Sequence, residues 1–467
     1  MAVSGLPVLS VKTIEVGSIS PTIVVLTFSR PCSNLTGAAH AGFSISGNTI
    51  ASSYWIDNKH IGIVVDTAVV TGDSPTITYD AASGHITDTG GAALASFTAK
   101  AVSNNVVLYL HDTFTGSGAL TAHTPEICPA GASWAVLNAT FANLSGGAIK
   151  LTSGNHSCAI IDTGHQNSEV EAIINTGTDG SSLGLITLSG LNGVRYTCML
   201  TATQIVEWHC TAFPGTASDE VAATTVASNT DYWLRIWSDG TTRRHLISSD
   251  GVNFTLIKRK EGGVLQPSTQ SYVGIGATYA IPTTSSIKEL TVRPPNSIHF
   301  SVIGDSISAN VLIPSWCYTF QYSSVFGYRG IISNHAVTGQ SIQNNLADQL
   351  TAAMADTSSN YLIIALGTND FDTNIVYTTA KAQLLRALTK WSADHIFWMG
   401  ILPRTYAPDN GPVNNPRIKQ ACDECGVTFW DTRTDPWIDP ATDCSDGLHP
   451  NATGAAKISA RVESIWP

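Results

Sequence analysis

The chain has 467 residues and a formal net charge of -11, and 13% of its residues are charged, against about 25% in typical soluble proteins. No run of Lys and Arg is longer than the three residues at 258–260, so the extended positive surface that binds nucleic acids or anionic membranes is missing, and we expect neither partner. No stretch reaches the ~18 consecutive apolar residues of a spanning helix, so we expect no membrane insertion.

Residues 1–104 contain short β-type segments, for example at 22–30, 61–69 and 76–82, separated by turns rich in Gly and Asp. This pattern predicts a small β-sandwich. The segment from Asp88-Thr89-Gly90-Gly91 through Phe97 resembles the end of bacterial immunoglobulin-like modules. No catalytic constellation is present in this region.

Residues 105–297 continue the β pattern and predict a larger sandwich. The opening DTFTGSGALTAHTPE, followed by Trp134, resembles concanavalin A-like or laminin G-like jelly rolls, which implies possible carbohydrate binding. Trp233, Arg235 and Trp237 alternate along one predicted strand, where they suit either a sugar-stacking platform or a buried layer. We expect burial, because one face of every sandwich strand packs against the core.

The nine cysteines are an odd number, so at least one is unpaired within a monomer. A hairpin centred near Gln204 would place Cys198 opposite Cys210, either as a disulfide or as two buried thiols. Cys422 and Cys425 form a single C-x-x-C at the end of a predicted helix. Without a second such motif or a thioredoxin-like context, we expect both to be structural.

The pattern changes after Arg293-Pro294-Pro295-Asn296, where apolar runs begin to alternate with helical segments. This alternation predicts that residues 298–467 form a flavodoxin-like α/β/α domain, with a five-stranded parallel sheet between two layers of helices. The whole chain is therefore expected to be multidomain, with two all-β sandwiches, 1–104 and 105–297, before the α/β domain.

Four short segments of the last domain carry candidate chemistry. In chain order they are Gly304-Asp305-Ser306, Gly339, Gly367-Thr368-Asn369-Asp370 and Asp446-Gly447-Leu448-His449. Each of the first three follows a predicted strand, and functional groups of an open α/β sheet gather at the carboxyl ends of its strands. The fourth precedes the last helix and can reach the same edge.

These segments supply the parts of a serine esterase. A serine hydroxyl needs an adjacent base that is itself oriented by an acid, and Ser306, His449 and Asp446 fit these three roles. The Ser306 and Gly339 backbone N–H groups and the Asn369 side-chain amide are candidate oxyanion donors.

The four segments resemble the sequence blocks of the SGNH or GDSL hydrolases, with GDSIS, AVTGQS, GTND and DGLHP in family order across residues 298–467. The resemblance implies that Ser306 is the nucleophile, His449 the base and Asp446 its partner. It also implies that Ser306, Gly339 and Asn369 form the oxyanion hole. Ile307 stands where the founding pattern has Leu, a conservative change. We expect Asp305 and Asp370 to hydrogen-bond the active-site loops.

Competing catalytic motifs are absent from the sequence. The G-x-S-x-G motif of α/β-hydrolases is not found around Ser306. No H-E-x-x-H motif or clustered Cys and His ligand set appears, so we expect no metal and no cofactor.

The sequence defines the reaction more closely than the substrate. We expect hydrolysis of O-acyl esters, most simply O-acetyl esters of a polysaccharide, because two β-sandwiches without chemistry suggest a tethered enzyme. A broad esterase of small or lipid esters, and a surface or phage adhesin with an accessory hydrolase domain, are the alternatives. Aromatic residues at 309–328 and the loop Pro403–Tyr406 are candidate pocket walls or core.

The expected location is extracellular, secreted or virion-associated, although the N-terminus lacks the charged and long apolar regions of a signal peptide. Oligomeric state is left open by the sequence.

Overall fold

The computed structural model describes residues 9–17, 22–33, 41–56, 58–67, 69, 73–144, 147–177, 182–189, 195–200, 205–210, 218–220, 226–239, 242–261, 271–278, 284–309, 315–371 and 373–466. The chain divides into two compact units, Met1–Asn296 and Ser297–Pro467. The three domains predicted from the sequence, with boundaries after residues 104 and 297, remain a prediction.

The first eight strands form two small sheets, antiparallel except for one parallel pair, that share one apolar core. They are β1 (Val11–Gly17), β2 (Ile23–Phe28), β3 (Phe43–Ile45), β4 (Ile50–Trp55), β5 (His60–Val65), β6 (Thr76–Tyr79), β7 (Phe97–Ala101) and β8 (Ser103–Asn105). One sheet has the order β4-β5-β2-β1-β8, in which β8 lies parallel to β1, and the other has the order β3-β6-β7. Alternate residues of β2, including Val24 and Leu26, are buried in the shared core. The predicted small sandwich is confirmed.

The next fourteen strands build a larger β structure. They are β9 (Leu110–Asp112), β10 (Gly118–Ala119), β11 (Ala135–Leu144), β12 (Ala148–Asp162), β13 (Ser168–Asn175), β14 (Ser182–Ser189), β15 (Arg195–Leu200), β16 (Ile205–Cys210), β17 (Ser218–Glu220), β18 (Asp231–Ser238), β19 (Thr242–Ser248), β20 (Thr255–Glu261), β21 (Tyr272–Thr278) and β22 (Ser286–Arg293). The long strand β12 pairs with β22 at Ile149 and with β21 from Ser157 to Asp162. It therefore links two halves of the structure, one made of β14 to β17 with β21, the other of β13, β18 to β20 and β22. Apolar residues from both halves meet in one core, which confirms the second predicted sandwich.

A buried ionic cluster lies on the opposite face of β13, β18 and β22 from this core. Arg293 pairs with Glu169 at 2.5 Å, and Arg235 pairs with Glu171 at 2.5 Å. Although burial raises it, the two arginines hold the pKa of Glu171 below its usual value. Trp237 is fully buried on the same face, so the expected buried role is confirmed for this residue, and it packs among charges rather than in the apolar core.

The predicted pairing of Cys198 with Cys210 is wrong. In the β15–β16 hairpin, Cys198 lies opposite Glu207, and Cys210 lies opposite Arg195. The two cysteines are offset by three register positions, about 10 Å along the strands, beyond the ~7 Å between Cα atoms that a disulfide spans. Leu200 pairs with Ile205, so the register is shifted by three positions from the one that would pair the two cysteines.

The C-terminal unit is a five-stranded parallel sheet with helices on both faces. Its strands are β23 (Ile298–Gly304), β24 (Gly330–Asn334), β25 (Tyr361–Ala365), β26 (Ile396–Met399) and β27 (Thr428–Trp430), and its helices are α1 (Trp316–Phe320), α2 (Ile342–Ala355), α3 (Thr373–Ala387), α4 (Gly411–Cys425) and α5 (Ala452–Ile465). The sheet order β24-β23-β25-β26-β27 is that of flavodoxin-like folds, and the predicted fold is confirmed.

Alternation along the strands divides the core of this unit between the two faces of the sheet. In β25, Leu362 and Ile364 pack with α2, α3 and α4, whereas Ile363 faces α1 and α5. All three side chains are fully buried, as expected for a strand covered on both faces. The continuous apolar runs of the sequence therefore have a direct structural cause.

Local capping fixes where the helices begin and end. The Ser341 side chain accepts a hydrogen bond from the Asn344 N–H at the start of α2, and the Asn451 side chain caps α5 through Gly454.

At the end of α4, Cys422 and Cys425 are free thiols, and burial raises the pKa of Cys422 to about 12, in keeping with a structural role. No helix in the described parts of the chain is long and apolar enough to cross a bilayer.

Candidate active site

Ser306 lies at the carboxyl end of β23, the second strand of the sheet and a neighbour of both β24 and β25. A tight turn follows the strand, because the N–H groups of Ser308 and Ala309 both donate to the Asp305 carbonyl, at 3.1 and 2.9 Å. Asp305 is buried, whereas Ser306 is partly exposed. The strand thus ends by presenting the Ser306 hydroxyl at the edge of the sheet.

A continuous line of hydrogen bonds connects Ser306, His449 and Asp446. The Nε2 atom of His449 lies 2.9 Å from the Ser306 Oγ, and its Nδ1 lies 2.7 Å from the Asp446 Oδ2. The other oxygen of Asp446 accepts the backbone N–H groups of His449, at 2.7 Å, and Leu448, at 3.0 Å. With both oxygens occupied, the carboxylate holds one orientation toward the imidazole.

The loop that carries Asp446 and His449 is closed by its own backbone. The Ser445 N–H donates to the His449 carbonyl at 2.9 Å, and the Asn451 N–H donates to the Asp443 carbonyl at 2.8 Å. Gly447 has a φ of +77°, and a Cβ atom there would lie 2.2 Å from the Thr405 Oγ1. Glycine is therefore required both by the backbone conformation and by the close approach of the neighbouring loop.

The surroundings of Asp446 favour its ionised form. Partial burial raises its pKa, but the hydrogen bonds from His449 and Leu448 outweigh this effect and lower the pKa to about 2. Asp446 is consequently a carboxylate throughout the neutral range, which suits a group that orients and stabilises an imidazole.

The other two candidate donors lie on loops that are linked to the turn of Ser306. The Val337 N–H donates to the Gly304 carbonyl at 3.1 Å, which holds the loop of Gly339 beside the end of β23. The Asn369 Nδ2 donates to the Gln340 carbonyl at 2.8 Å, so one amide hydrogen is used there and a second remains on the group. Gly339 has a φ of +77°, which explains why a glycine occupies this position.

Asp370 connects three active-site segments. Its two carboxylate oxygens accept the backbone N–H groups of Ile342, at 2.8 Å, and Gln343, at 3.1 Å, in the first turn of α2. Its carbonyl accepts the side-chain amides of Asn410 and Asn414 at the start of α4. The contacts are those expected from the sequence for a loop-holding residue, and burial raises the pKa of Asp370.

Asp305 is fully buried directly before Ser306. Its Oδ1 accepts the Ile307 N–H at 3.0 Å. Burial raises its pKa to about 6, although hydrogen bonds from Ile307 and Thr368 and the nearby His449 act in the opposite direction. A carboxyl group that titrates near neutrality therefore lies beneath the Ser306 turn.

Two further residues hold the site. Gln349 was not singled out from the sequence, and Arg404 was considered only as part of a candidate pocket wall. Gln349 of α2 exchanges two hydrogen bonds with Gly304, both at 2.9 Å, so a side-chain amide continues the pairing at the end of β23. Arg404 donates to the Thr368 carbonyl at 3.2 Å and links the loop after β26 to that after β25. The only sequence signal for Gln349 is a polar residue on the apolar side of a helix.

The aromatic residues considered as pocket walls have separate roles. Trp316 and Phe320 belong to α1, and both side chains are buried in the core. Tyr406, in contrast, is exposed at the edge of the sheet that carries Ser306. Within the described ranges, no three His, Cys, Asp or Glu side chains lie together in a way that could hold a metal ion.

Solved structures with partial likeness to the chain include hydrolases and a sugar-binding protein. The esterase EstA from Pseudoalteromonas sp. is 18% identical, covers 36% of this chain and 96% of its own, and has a TM-score of 0.30. A GDSL-like lipase from Parabacteroides merdae is 13% identical, with 35% and 93% covered and a TM-score of 0.29. The carbohydrate-binding module CBM66 from Bacillus subtilis is 16% identical, with 34% and 94% covered and a TM-score of 0.27. Scores at this level carry no inference about the chemistry of the chain.

The family comparison is more specific. Residues 302–457 match the sequence model of the GDSL-like lipase/acylhydrolase family, a span that includes Ser306, Gly339, Asn369, Asp446 and His449. A search of curated proteins found no match. Residues 302–457 are therefore a GDSL-like lipase/acylhydrolase domain, which supports an ester hydrolase.

Proposed function

We propose that the protein is a carbohydrate O-acetylesterase, which hydrolyses O-acyl esters of a polysaccharide through an acyl intermediate on Ser306. The observation that carries this proposal is the hydrogen-bonded line from Asp446 through His449 to Ser306, with distances of 2.7 and 2.9 Å. Each link lies within the range required for proton transfer between nucleophile and base.

The first step is attack on the ester carbonyl. As the Ser306 Oγ approaches the carbonyl carbon, the Nε2 of His449 accepts its proton. Asp446, ionised because its pKa is about 2, stabilises the imidazolium that forms and keeps Nδ1 protonated toward itself. The product of this step is a tetrahedral intermediate bearing an oxyanion.

The oxyanion requires donors that are already in place. In our proposal the backbone N–H groups of Ser306 and Gly339 and the Asn369 amide supply them. Collapse of the intermediate expels the alcohol, which receives the proton from His449. Water then repeats the sequence on the acyl-Ser306 ester, with His449 again as base, and releases the acid.

The choice of an acetylated polysaccharide is supported by the other unit of the chain. Two β-sandwiches accompany the catalytic unit, and no catalytic constellation was found in their sequence. Modules that bind a polymer raise the local concentration of its esters at the active site. We also propose that the protein acts outside the cell or on a virion, where such polymers are accessible.

The test is acetate release from a panel of acetylated polysaccharides, compared with hydrolysis of p-nitrophenyl acetate. Ser306→Ala is expected to lower kcat by several orders of magnitude on every substrate. Ser464→Ala, which removes an exposed hydroxyl at the end of α5, is the matched control and should leave the rates unchanged. If the activity of Ser306→Ala were within tenfold of that of the parent, Ser306 would be excluded as the nucleophile.

The same panel separates the proposed substrate from a small ester. An enzyme that releases acetate from none of the polymers but hydrolyses p-nitrophenyl esters would be a broad esterase, and the carbohydrate part of the proposal would be wrong.

A further inference from the structure

Two exposed aromatic side chains stand out in the C-terminal unit. Among its described residues, Phe371 is 71% exposed and Tyr406 is 58% exposed, and every other Phe, Tyr or Trp is half-buried or buried. Large rings normally bury most of their area, so two exposed rings on neighbouring active-site loops are candidates for contact with a ligand.

Both residues lie on loops that carry or contact candidate active-site residues. Phe371 comes two residues after Asn369, on the loop that follows β25. Tyr406 lies on the loop after β26, and its backbone N–H donates at 3.4 Å to the carbonyl of Gly447, in the loop that carries His449. The aromatic residues thus flank the loops of the base and of an oxyanion donor.

The two loops are also joined to each other. Arg404 donates to the Thr368 carbonyl at 3.2 Å, and the Asn410 side chain donates to the Asp370 carbonyl at 2.8 Å. These bonds connect the segment 403–410 to the segment 367–371. The rings are therefore carried by two loops whose backbones are linked, and a loop that is already ordered loses less entropy when it binds a ligand.

Polar groups accompany the rings. Asp409 and Arg433 form an ion pair at 2.6 Å next to the loop of Tyr406, and both side chains are partly exposed. A sugar ring has apolar C–H faces and a rim of hydroxyl groups. Flat aromatic surfaces match the former, and carboxylate, guanidinium and amide groups match the latter.

We propose that Tyr406 and Phe371 form a stacking surface for sugar residues of the substrate, next to the ester that Ser306 cleaves. The inference rests on the proposed carbohydrate esterase function and names two residues that would determine its preference for glycans. The competing occupant is an acyl chain, for which the exposed aliphatic residues Ile375 and Val413 would provide contacts.

The test uses the full chain and three probes: acetylated xylo-oligosaccharides, p-nitrophenyl acetate and p-nitrophenyl octanoate. Tyr406→Ala and Phe371→Ala remove the rings, and Tyr406→Phe retains one. Leu385→Ala and Val325→Ala are matched controls, because these side chains are 54% and 52% exposed in the same unit but lie outside the active-site loops.

The expected result is a rise in KM for the oligosaccharides. For each alanine variant, the ratio of kcat/KM on the oligosaccharides to that on p-nitrophenyl acetate should fall about 10-fold, equivalent to about 1.4 kcal/mol. Tyr406→Phe should restore most of the ratio, and the two controls should keep it.

Other outcomes overturn the inference and are distinguishable from failure of the function. An unchanged ratio would show that the rings do not bind sugar, and a selective loss on the octanoate would assign them to an acyl chain. A parent enzyme that hydrolyses p-nitrophenyl acetate but not the acetylated oligosaccharides would also exclude the sugar surface, whereas the esterase chemistry would stand. Failure of the esterase function itself would appear as a parent enzyme that hydrolyses none of the three probes.

Discussion

Asp305 and Asp446 are carboxyl groups near the same imidazole, yet their pKa values move in opposite directions. Burial raises the pKa of Asp305 to about 6, whereas hydrogen bonds overcome partial burial and lower that of Asp446 to about 2. Asp446 therefore remains ionised throughout the neutral range, and its favourable contribution, fully present above the unfolded pKa of 3.8, is lost as the pH falls through about 2. Asp305 is the group of this pair that titrates near neutrality.

The raised pKa of Asp305 predicts a pH-dependent cost to stability. Because the folded pKa, about 6, exceeds the unfolded value of 3.8, stability is greatest below the unfolded pKa and is lost as the pH rises through the folded pKa. Asp305→Asn removes this titration. Relative to the parent, the variant should gain about 2 kcal/mol in free energy of unfolding between pH 4.5 and 7.5.

Urea unfolding of both proteins at several pH values measures this difference. A constant difference between parent and variant would show that Asp305 titrates normally in the folded state.

The Asn369 side chain is the proposed oxyanion donor that can be removed without altering the backbone. Asn369→Ala should lower kcat by about 10² to 10³, with a smaller change in KM, because the donor acts on charge that develops in the transition state. Steady-state kinetics on p-nitrophenyl acetate measure this effect. A change confined to KM would mean that the amide binds the ground state only.

At the scale of elements, the start of α2 and the loop after β25 act as one structure. Asp370 accepts both Ile342 and Gln343 N–H groups, and Asn369 donates to Gln340 just before the helix. The positions of Gly339 and Asn369 are thus set by the same contacts.

Removing the Asp370 carboxylate should disturb both oxyanion loops. Asp370→Ala leaves one buried and one partly buried N–H group without the carboxylate acceptor, so we expect a loss of about 2 to 3 kcal/mol in stability and a fall in kcat of at least about tenfold. Asp370→Asn keeps one acceptor oxygen, so its stability and its kcat should lie between those of Asp370→Ala and those of the parent. Asp348→Asn on the exposed side of α2 is the control.

Thermal unfolding and kinetics on one small ester separate the two effects. Reduced stability with unchanged kcat would make Asp370 a purely structural cap.

The sequence predicted the sheet and the position of Ser306 because both depend on local patterns, namely apolar runs and the motif at the end of each strand. It did not predict the contacts of Gln349 or Arg404, since these depend on which helix face and which loop meet in space. The register error at Cys198 has the same origin: pairing depends on the turn, and one shifted position changes every partner.

Burial was the other property that the sequence left open. Trp316 and Tyr406 were equivalent candidates for a pocket wall, and only the packing of α1 against the sheet separates them. Trp237 was expected to be buried, but its ionic surroundings arise from cross-strand pairing between β13, β18 and β22, which a single strand does not reveal.

At the scale of the whole molecule, the catalytic unit has its own core. The two apolar clusters that cover the faces of its sheet are drawn entirely from residues within Ser297–Pro467. A unit with a complete core is expected to fold alone.

Residues 297–467 produced separately should therefore unfold cooperatively and hydrolyse p-nitrophenyl acetate at a kcat within about threefold of the full chain. If the β-sandwiches bring the enzyme to a polymer, kcat/KM on an acetylated polysaccharide should fall by at least about tenfold, because the effective concentration gained by tethering is lost. If activity fell equally on both substrates, the catalytic unit would have been damaged by its separation. If activity on both substrates were retained, the sandwiches would not target the enzyme.

The central claim is that Ser306 is the nucleophile, and covalent labelling tests it most directly. The full chain would be treated with a serine-directed fluorophosphonate, digested and analysed by mass spectrometry while residual esterase activity is measured. We predict one label per chain, on Ser306, with activity lost in proportion to labelling, and no label in Ser306→Ala or His449→Ala. Activity that survives complete labelling of Ser306, or inactivation by a label on another residue, would contradict the assignment.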